Sequence, residues 1–212
     1  MNIKMITCTK GDTINLGGKL AGICYMPDNF ETLNNEDINK TINRAKSAME
    51  NVHHSVFEHS YITLYLENIP KLFAMLLNNE KVYTTSEKSA RYTKMELVGK
   101  QKQLYDKWVE KLCVLIENRY GNQQYFDEKR IKKLAMENAR YFTSVMTPTS
   151  MAYTVSFRQL NYLCGWLKQF ETSTNPIYKM LSTYASEFVE IMSARHILVP
   201  ELMEDGKNRE FS

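Results

Sequence analysis

Hydrophobic and polar positions change period several times along the chain, and each change marks an element. In MNIKMITCT, Ile3, Met5 and Thr7 alternate with Lys4, Ile6 and Cys8, and the β-branched content predicts an opening strand. GDTINLGG then reads as a Gly-rich turn. From a cap at Asn34 or Asn35, EDINKTINRAKSAME places Ile38, Ile42, Ala45 and Met49 on one helical face, which is assigned to the core. YITLYLENI is the clearest strand, alternating Tyr61, Thr63 and Tyr65 with Ile62, Leu64 and Leu66. Pro70 suits the first turn of a helix whose apolar stripe, Leu72, Phe73, Leu76 and Leu77, fades at Asn78, Asn79 and Glu80.

Downstream the period is helical. Leu104, Trp108, Leu112, Leu115 and Ile116 mark a long helix stopped at Gly121, and Ile131, Leu134, Ala135 and Phe142 mark another, capped by Asp127. Pro148 closes that region, MAYTVSF reads as a short strand, and Leu160, Leu163, Cys164 and Leu167 return to helical spacing. Pro176 opens a last helix with an Ile177, Met180, Leu181, Tyr184, Phe188 and Ile191 stripe. Strands separated by long helices, with no repeat and no linker, predict one α+β domain over residues 1–212.

Composition narrows the function classes. Hydrophobic residues at 43% and charged residues at 24% belong to a globular chain with a sizeable core. The net charge of +3 is too small for a duplex-tracking surface, so any anion site is local and no nucleic-acid partner is expected. Across 119–142, Lys and Arg do mix with Tyr and Phe, but the interspersed acids make a solvated amphipathic helix the expected reading. Cys8, Cys24, Cys113 and Cys164 form no CxxC pair, and the opening residues lack a signal-peptide core, which predicts reduced thiols in a cytoplasm. No apolar run approaches the ~18 residues of a membrane-spanning helix, so a soluble chain without a membrane partner is expected.

Four stretches carry chemistry. HHSVFEH gathers His53, His54, Glu58 and His59. In a helix His54 and Glu58 share a face, as metal ligands or proton carriers would, although the HExxH order and a distant ligand cluster are missing. A capped turn whose side chains bond local backbone accounts for the same residues. In SEKSARY an extended backbone projects Glu87, Ser89 and Arg91 to one side, a compact anion and sugar site in which Arg offers a fork of donors, Ser a hydroxyl and Glu an acceptor. A solvated loop with a surface Glu/Arg pair is the plainer alternative. Arg140 in ENARYF and Arg158 in TVSFRQL signal nothing alone; their partners decide their meaning.

Together HHSVFEHS, SEKSARY, ENARY and TVSFRQL resemble, in order and spacing, the flavin-dependent thymidylate synthase (ThyX) family over most of residues 50–170. The resemblance implies an α+β fold with an antiparallel sheet packed against several long helices, assembled as a homotetramer with active sites where subunits meet. It implies FAD bound without a Rossmann fingerprint, NADPH as reductant and methylenetetrahydrofolate as carbon donor. The one-carbon unit goes to C5 of a pyrimidine deoxynucleotide, dUMP by default. Carried over by position, Ser55, Glu58, Glu87 and Arg158 would face the flavin. Lys81 would supply a cation there, and Ser89, Arg91 and Arg140 would hold the nucleotide phosphate. His53 beside the flavin ring, with Ser89, is the catalytic candidate. No metal is implied.

The sequence departs from that pattern in places. The family's R-H-R becomes Asn79, Glu80 and Lys81; its Asn before Glu87 becomes Ser86; its Asn before the last Arg becomes Ser156. A helical Gln is Leu76, and an Arg that reaches the pyrimidine is Leu167, beside Lys168. Two alternatives therefore stand beside dUMP methylation: another C5-modified pyrimidine nucleotide as product, or a non-catalytic nucleotide-binding subunit working with a motif-complete homologue.

Overall fold

A computed structural model describes residues 1–80, 82–89, 97–207 and 209, with elements in the order β1 (Asn2–Cys8), α1 (Thr13–Tyr25), α2 (Phe30–Asn34), α3 (Ile38–Glu50), β2 (Tyr61–Pro70), α4 (Lys71–Asn79), β3 (Tyr83–Glu87), α5 (Gly99–Tyr120), α6 (Glu128–Ala139), β4 (Pro148–Ser156), α7 (Phe157–Leu167), α8 (Pro176–Ser193) and α9 (Pro200–Met203). The HHSVFEH stretch forms a 3-10 helix, His54–His59. The strands make one sheet in the order β1-β2-β4-β3. β1 and β2 pair antiparallel. The Phe157 amide donates to the Ser60 carbonyl and the Thr63 and Thr154 hydroxyls meet, so partner numbers fall on β4 as they rise on β2. The Lys88 amide donates to Ser150 and the Thr85 hydroxyl to Ala152, which gives β3 the same antiparallel sense. The expected α+β class and antiparallel sheet are present.

The chain divides into two compact units. One comprises Met1–Glu67, Asn78–Thr85 and Ala152–Ser212. Its core holds the Ile62, Leu64 and Leu66 face of β2, together with Trp166, Phe170 and Tyr178. The last two rings stack at 4.2 Å. The other comprises Asn68–Leu77 and Ser86–Met151. Its α5–α6 hairpin closes on Ile116, Ile131 and Ala135, and Trp108 stacks on Phe142 at 4.5 Å. Gly121 and Asp127 bound the hairpin's helices as the sequence predicts.

GDTINLGG turns only at Gly11, where φ is +92°; Asp12 then caps α1 by accepting from the Ile14 and Asn15 amides, and Gly17, Gly18 and Gly22 lie inside the helix. A Cβ at Gly17 would strike the Phe57 ring, one at Gly18 the Thr41 carbonyl, and one at Gly22 the Leu33 and Arg44 side chains. These glycines are a seam for close packing, which outweighs their low helix propensity. The α3 cap is Asp37 rather than Asn34 or Asn35, because α2 occupies Phe30–Asn34. Ile38, expected in the core, is 54% exposed. α8 buries Tyr178, Leu181, Ala185, Phe188, Val189 and Met192, a stripe rotated from the expected one, and it is followed by α9.

Candidate active site

The first unit assembles the HHSVFEH residues around separate partners. α3 ends in a Schellman arrangement: the Val52 amide donates to Met49 and the His53 amide to Ala48. That places half-buried His53 beside Tyr25 at the end of α1, with the phenol oxygen 2.7 Å from Nδ1. His54 is buried, its Nδ1 2.8 Å from Asp205 and its Nε2 3.1 Å from the Met49 carbonyl. The Arg158 guanidinium reaches Glu58 at 2.6 Å and Asp205 at 3.5 Å. Ser55 and His59 are exposed. The metal-pair geometry does not form here, because His54 and Glu58 turn to different partners. No group of three His, Cys, Asp or Glu side chains placed to hold a metal occurs among the described residues.

Asp205 is delivered by the C-terminal segment. The buried Asn161 amide donates to the Phe157 and Ile197 carbonyls while its oxygen accepts from the Val199 amide. Gly165 and Gly206 allow backbone to backbone contact with Met203 and Tyr162. Arg209 then pairs with buried Glu80 at 3.1 Å. Hydrogen bonding to Glu80 raises the Arg209 pKa above its ordinary value.

In the second unit the predicted extended stretch is observed as β3 and continues its pairing through Lys88. Thr85, Glu87 and Ser89 are half-buried while Ser86 and Lys88 are exposed, so Glu87 and Ser89 do share a side. The Lys71 ammonium lies 2.6 Å from Glu87, and the Thr149 hydroxyl donates to the same oxygen at 3.0 Å. Half-buried Arg140 lies 4.0 Å from Glu137, with Tyr141 under its guanidinium. Lys81 and Arg91 lie outside the described residues.

The family described as Thy1, thymidylate synthase complementing protein, matches residues 8–169. The chain belongs to that family. Its place among the ThyX proteins makes it a flavin-dependent thymidylate synthase-like methyltransferase. Among solved structures, the UMP/dUMP methylase PolB of Streptomyces cacaoi, bound with 5-Br dUMP, aligns with a TM-score of 0.57 at 16% identity, covering 96% of this chain and 93% of that one. ThyX of Helicobacter pylori, complexed with FAD and dUMP, aligns with a TM-score of 0.56 at 15% identity, covering 97% and 99%. At such identities the likeness is one of fold. No curated protein matches the chain by sequence.

Several departures from the ThyX pattern have physical explanations. Ser156 is fully buried and caps α7 by accepting from the Gln159 amide, a task for which Asn and Ser are interchangeable. Leu167 is fully buried in the core, whereas Lys168 beside it is exposed. Glu80 does not add an open negative charge, since Arg209 neutralises it. Tyr25, Lys71, Thr149, Asp205 and Arg209 were not legible as site partners. Tyr25 ends a helix whose sequence reads as a turn, and the others pair across long sequence separations with no spacing signal. Cys164 is buried and its thiol pKa is pushed up, which makes it a poor nucleophile.

Proposed function

We propose that the chain transfers a one-carbon unit from methylenetetrahydrofolate to C5 of a pyrimidine deoxynucleotide, dUMP by default, using FAD reduced by NADPH. The observation that carries this reading is the family match across residues 8–169, which contains the HHSVFEH, SEKSARY, ENARY and TVSFRQL stretches together. Neighbours of the same fold are named for dUMP and UMP methylation, so the sugar tolerated belongs to the same question.

The donor set fits the polar edge of a flavin ring. Glu58 offers an acceptor, exposed Ser55 a hydroxyl and half-buried His53 an imidazole, while Arg158 is already paired with Glu58 and Asp205. FAD, when bound, supplies the electrons and hydride of the reaction. The chain's own contribution is binding and orientation: Arg158 holds Glu58, Lys71 and Thr149 hold Glu87, and His53 presents a ring nitrogen. Ser89, Arg91 and Arg140 are assigned to the nucleotide, where a guanidinium on phosphate forms charge-assisted bonds. Lys81 is assigned to the flavin side, and a homotetramer in a cytoplasm completes the reading.

Purified protein should absorb as a flavoprotein or bind added FAD, and should convert dUMP to dTMP with methylenetetrahydrofolate and NADPH. Arg91→Ala and Arg140→Ala should each weaken dUMP binding about tenfold or more while leaving the fold intact. Unchanged affinity in both sinks the phosphate assignment. The non-catalytic alternative is favoured by Glu80 standing in the family's R-H-R segment and turning to Arg209. Turnover only on addition of a motif-complete ThyX subunit would establish it; turnover by this chain alone would exclude it.

A further inference from the structure

The glycine seam of α1 sets up a contact that the family stretches do not contain. Gly18 faces Thr41, Gly22 faces Arg44, and the Arg44 guanidinium donates to the Gly18 carbonyl. Partner numbers rise together, so α1 and α3 run parallel and their C-terminal ends arrive side by side. Tyr25 is the last residue of α1, and His53 follows the end of α3. Their rings meet edge to face, with centroids 5.2 Å apart and planes at 73°, and the phenol oxygen lies 2.7 Å from Nδ1. The peptide that presents His53 is strained, for Val52 holds φ at +59°, a region β-branched residues avoid. His53 is thus fixed from three sides: by its amide on Ala48, by its ring edge on Tyr25, and by the phenol on Nδ1.

We infer that Tyr25 is a positioning residue for His53, its hydroxyl donating to Nδ1 so that Nε2 carries the proton and is the ring nitrogen offered to a bound ligand. A phenol is the better acid and an imidazole the better base, so donation by Tyr25 is the favoured sense of the bond. Tyr25 is 65% exposed, which leaves this pair open to a ligand and makes substitution compatible with folding. The catalytic consequence rests on the proposed function; the hydrogen bond does not.

The test uses the full chain labelled with nitrogen-15 at histidine, with His53→Gln identifying the His53 signals among the four histidines. Two-bond proton–nitrogen correlations distinguish the tautomers. The wild type is expected to show His53 protonated at Nε2, and Tyr25→Phe, which keeps the ring contact, a tautomer mixture. An unchanged pattern in Tyr25→Phe overturns the inference. In dTMP formation, Tyr25→Phe is expected to lower kcat about five- to tenfold with KM for dUMP within about twofold, since one hydrogen bond is lost and no substrate contact is removed. Equal kcat alongside a changed tautomer pattern overturns the positioning role. A wild type that neither binds flavin nor forms dTMP defeats the proposed function instead, and the correlation spectra then decide the Tyr25–His53 bond by themselves.

Discussion

The two compact units hold their chemistry-bearing charges in different ways. In the first, Arg158 is gripped by Glu58 and Asp205, and Asp205 also takes His54. Asp205 arrives on a segment beyond residue 169, where the family match ends, and that segment is fastened to α7 through Asn161, Gly165 and Gly206. In the second, Glu87 is held by Lys71 and Thr149, groups that the sheet register and the start of α4 bring to it, while Arg140 meets Glu137 one helical turn away at 4.0 Å. Residues 68–77 and 86–151 also carry more Lys and Arg than Asp and Glu, and the rest of the chain carries the reverse. Of the proposed flavin-side candidates, Glu58 and Arg158 thus sit in a self-neutralised network built partly outside the family stretches, whereas Glu87 belongs, with Ser89 and Arg140, to the basic unit.

The largest way to break this comparison is to unseat the C-terminal segment. A Cβ at Gly165 would collide with the backbone of Met203, and a backbone neighbour cannot give as a flexible side chain can. Gly165→Ala should destabilise the chain by about 2 to 4 kcal/mol, read from urea unfolding. Hydrogen exchange should rise first at residues 199–206 and leave the α5–α6 hairpin protected. Loss of protection in the hairpin at the same rate would mean that the two regions are not held independently.

How much of this was readable beforehand follows from the same contrast. Glu87 and Ser89 were legible because strand alternation is a local rule, and β3 obeys it. The cap at Asp127 and the stop at Gly121 are also local signals. The glycines of α1 misled because composition names a turn, while the deciding fact, contact with Thr41 and Phe57, is tertiary. The rotated faces of α5 and α8 failed for a related reason: Leu104 and Leu115 keep helical spacing yet are 44% and 59% exposed, and spacing does not say which side meets a partner. Asp205 in MEDGKNRE carries no motif, and only the fold joins it to His54 across 151 positions.

Asp205→Asn sharpens the comparison with less disturbance. It keeps the side-chain shape but removes the charge that both Arg158 and buried His54 face, and should cost about 1 to 2 kcal/mol. Lys71→Met in the other unit removes an ammonium that is 44% exposed, and should cost less than about 0.5 kcal/mol. Costs of equal size would erase the distinction between the two networks.

Acid probes the first unit again. Hydrogen bonding to Arg44 holds the Glu36 carboxyl at about 2, below its ordinary 4.5. A depressed folded pKa contributes stability above the unfolded value and loses it as pH falls through the folded one, here between roughly pH 5 and 2. With solvent screening of this partly exposed pair the loss should be about 1 to 2 kcal/mol. In Glu36→Gln that part of the acid dependence should disappear; an identical pH profile would remove Glu36 as its source.

The last effect carries the opposite sign. Val52 occupies the left-handed position that ends α3, where glycine is the usual residue, and it is 69% exposed, so its side chain returns little packing. The left-handed conformation costs an L-residue about 1 to 2 kcal/mol, and glycine's extra freedom in the unfolded chain offsets about 0.5 to 1 of that. Val52→Gly should therefore stabilise the chain by about 0.5 to 1 kcal/mol, a rise of a few degrees in Tm. Because the His53 amide bond to Ala48 and the Tyr25 contact are independent of the Val52 side chain, the His53 tautomer should be unchanged. A stabilised Val52→Gly chain with a mixed His53 tautomer would instead locate the control of that imidazole in the strained peptide, and would move the first unit's organising element from the α1 seam to the end of α3.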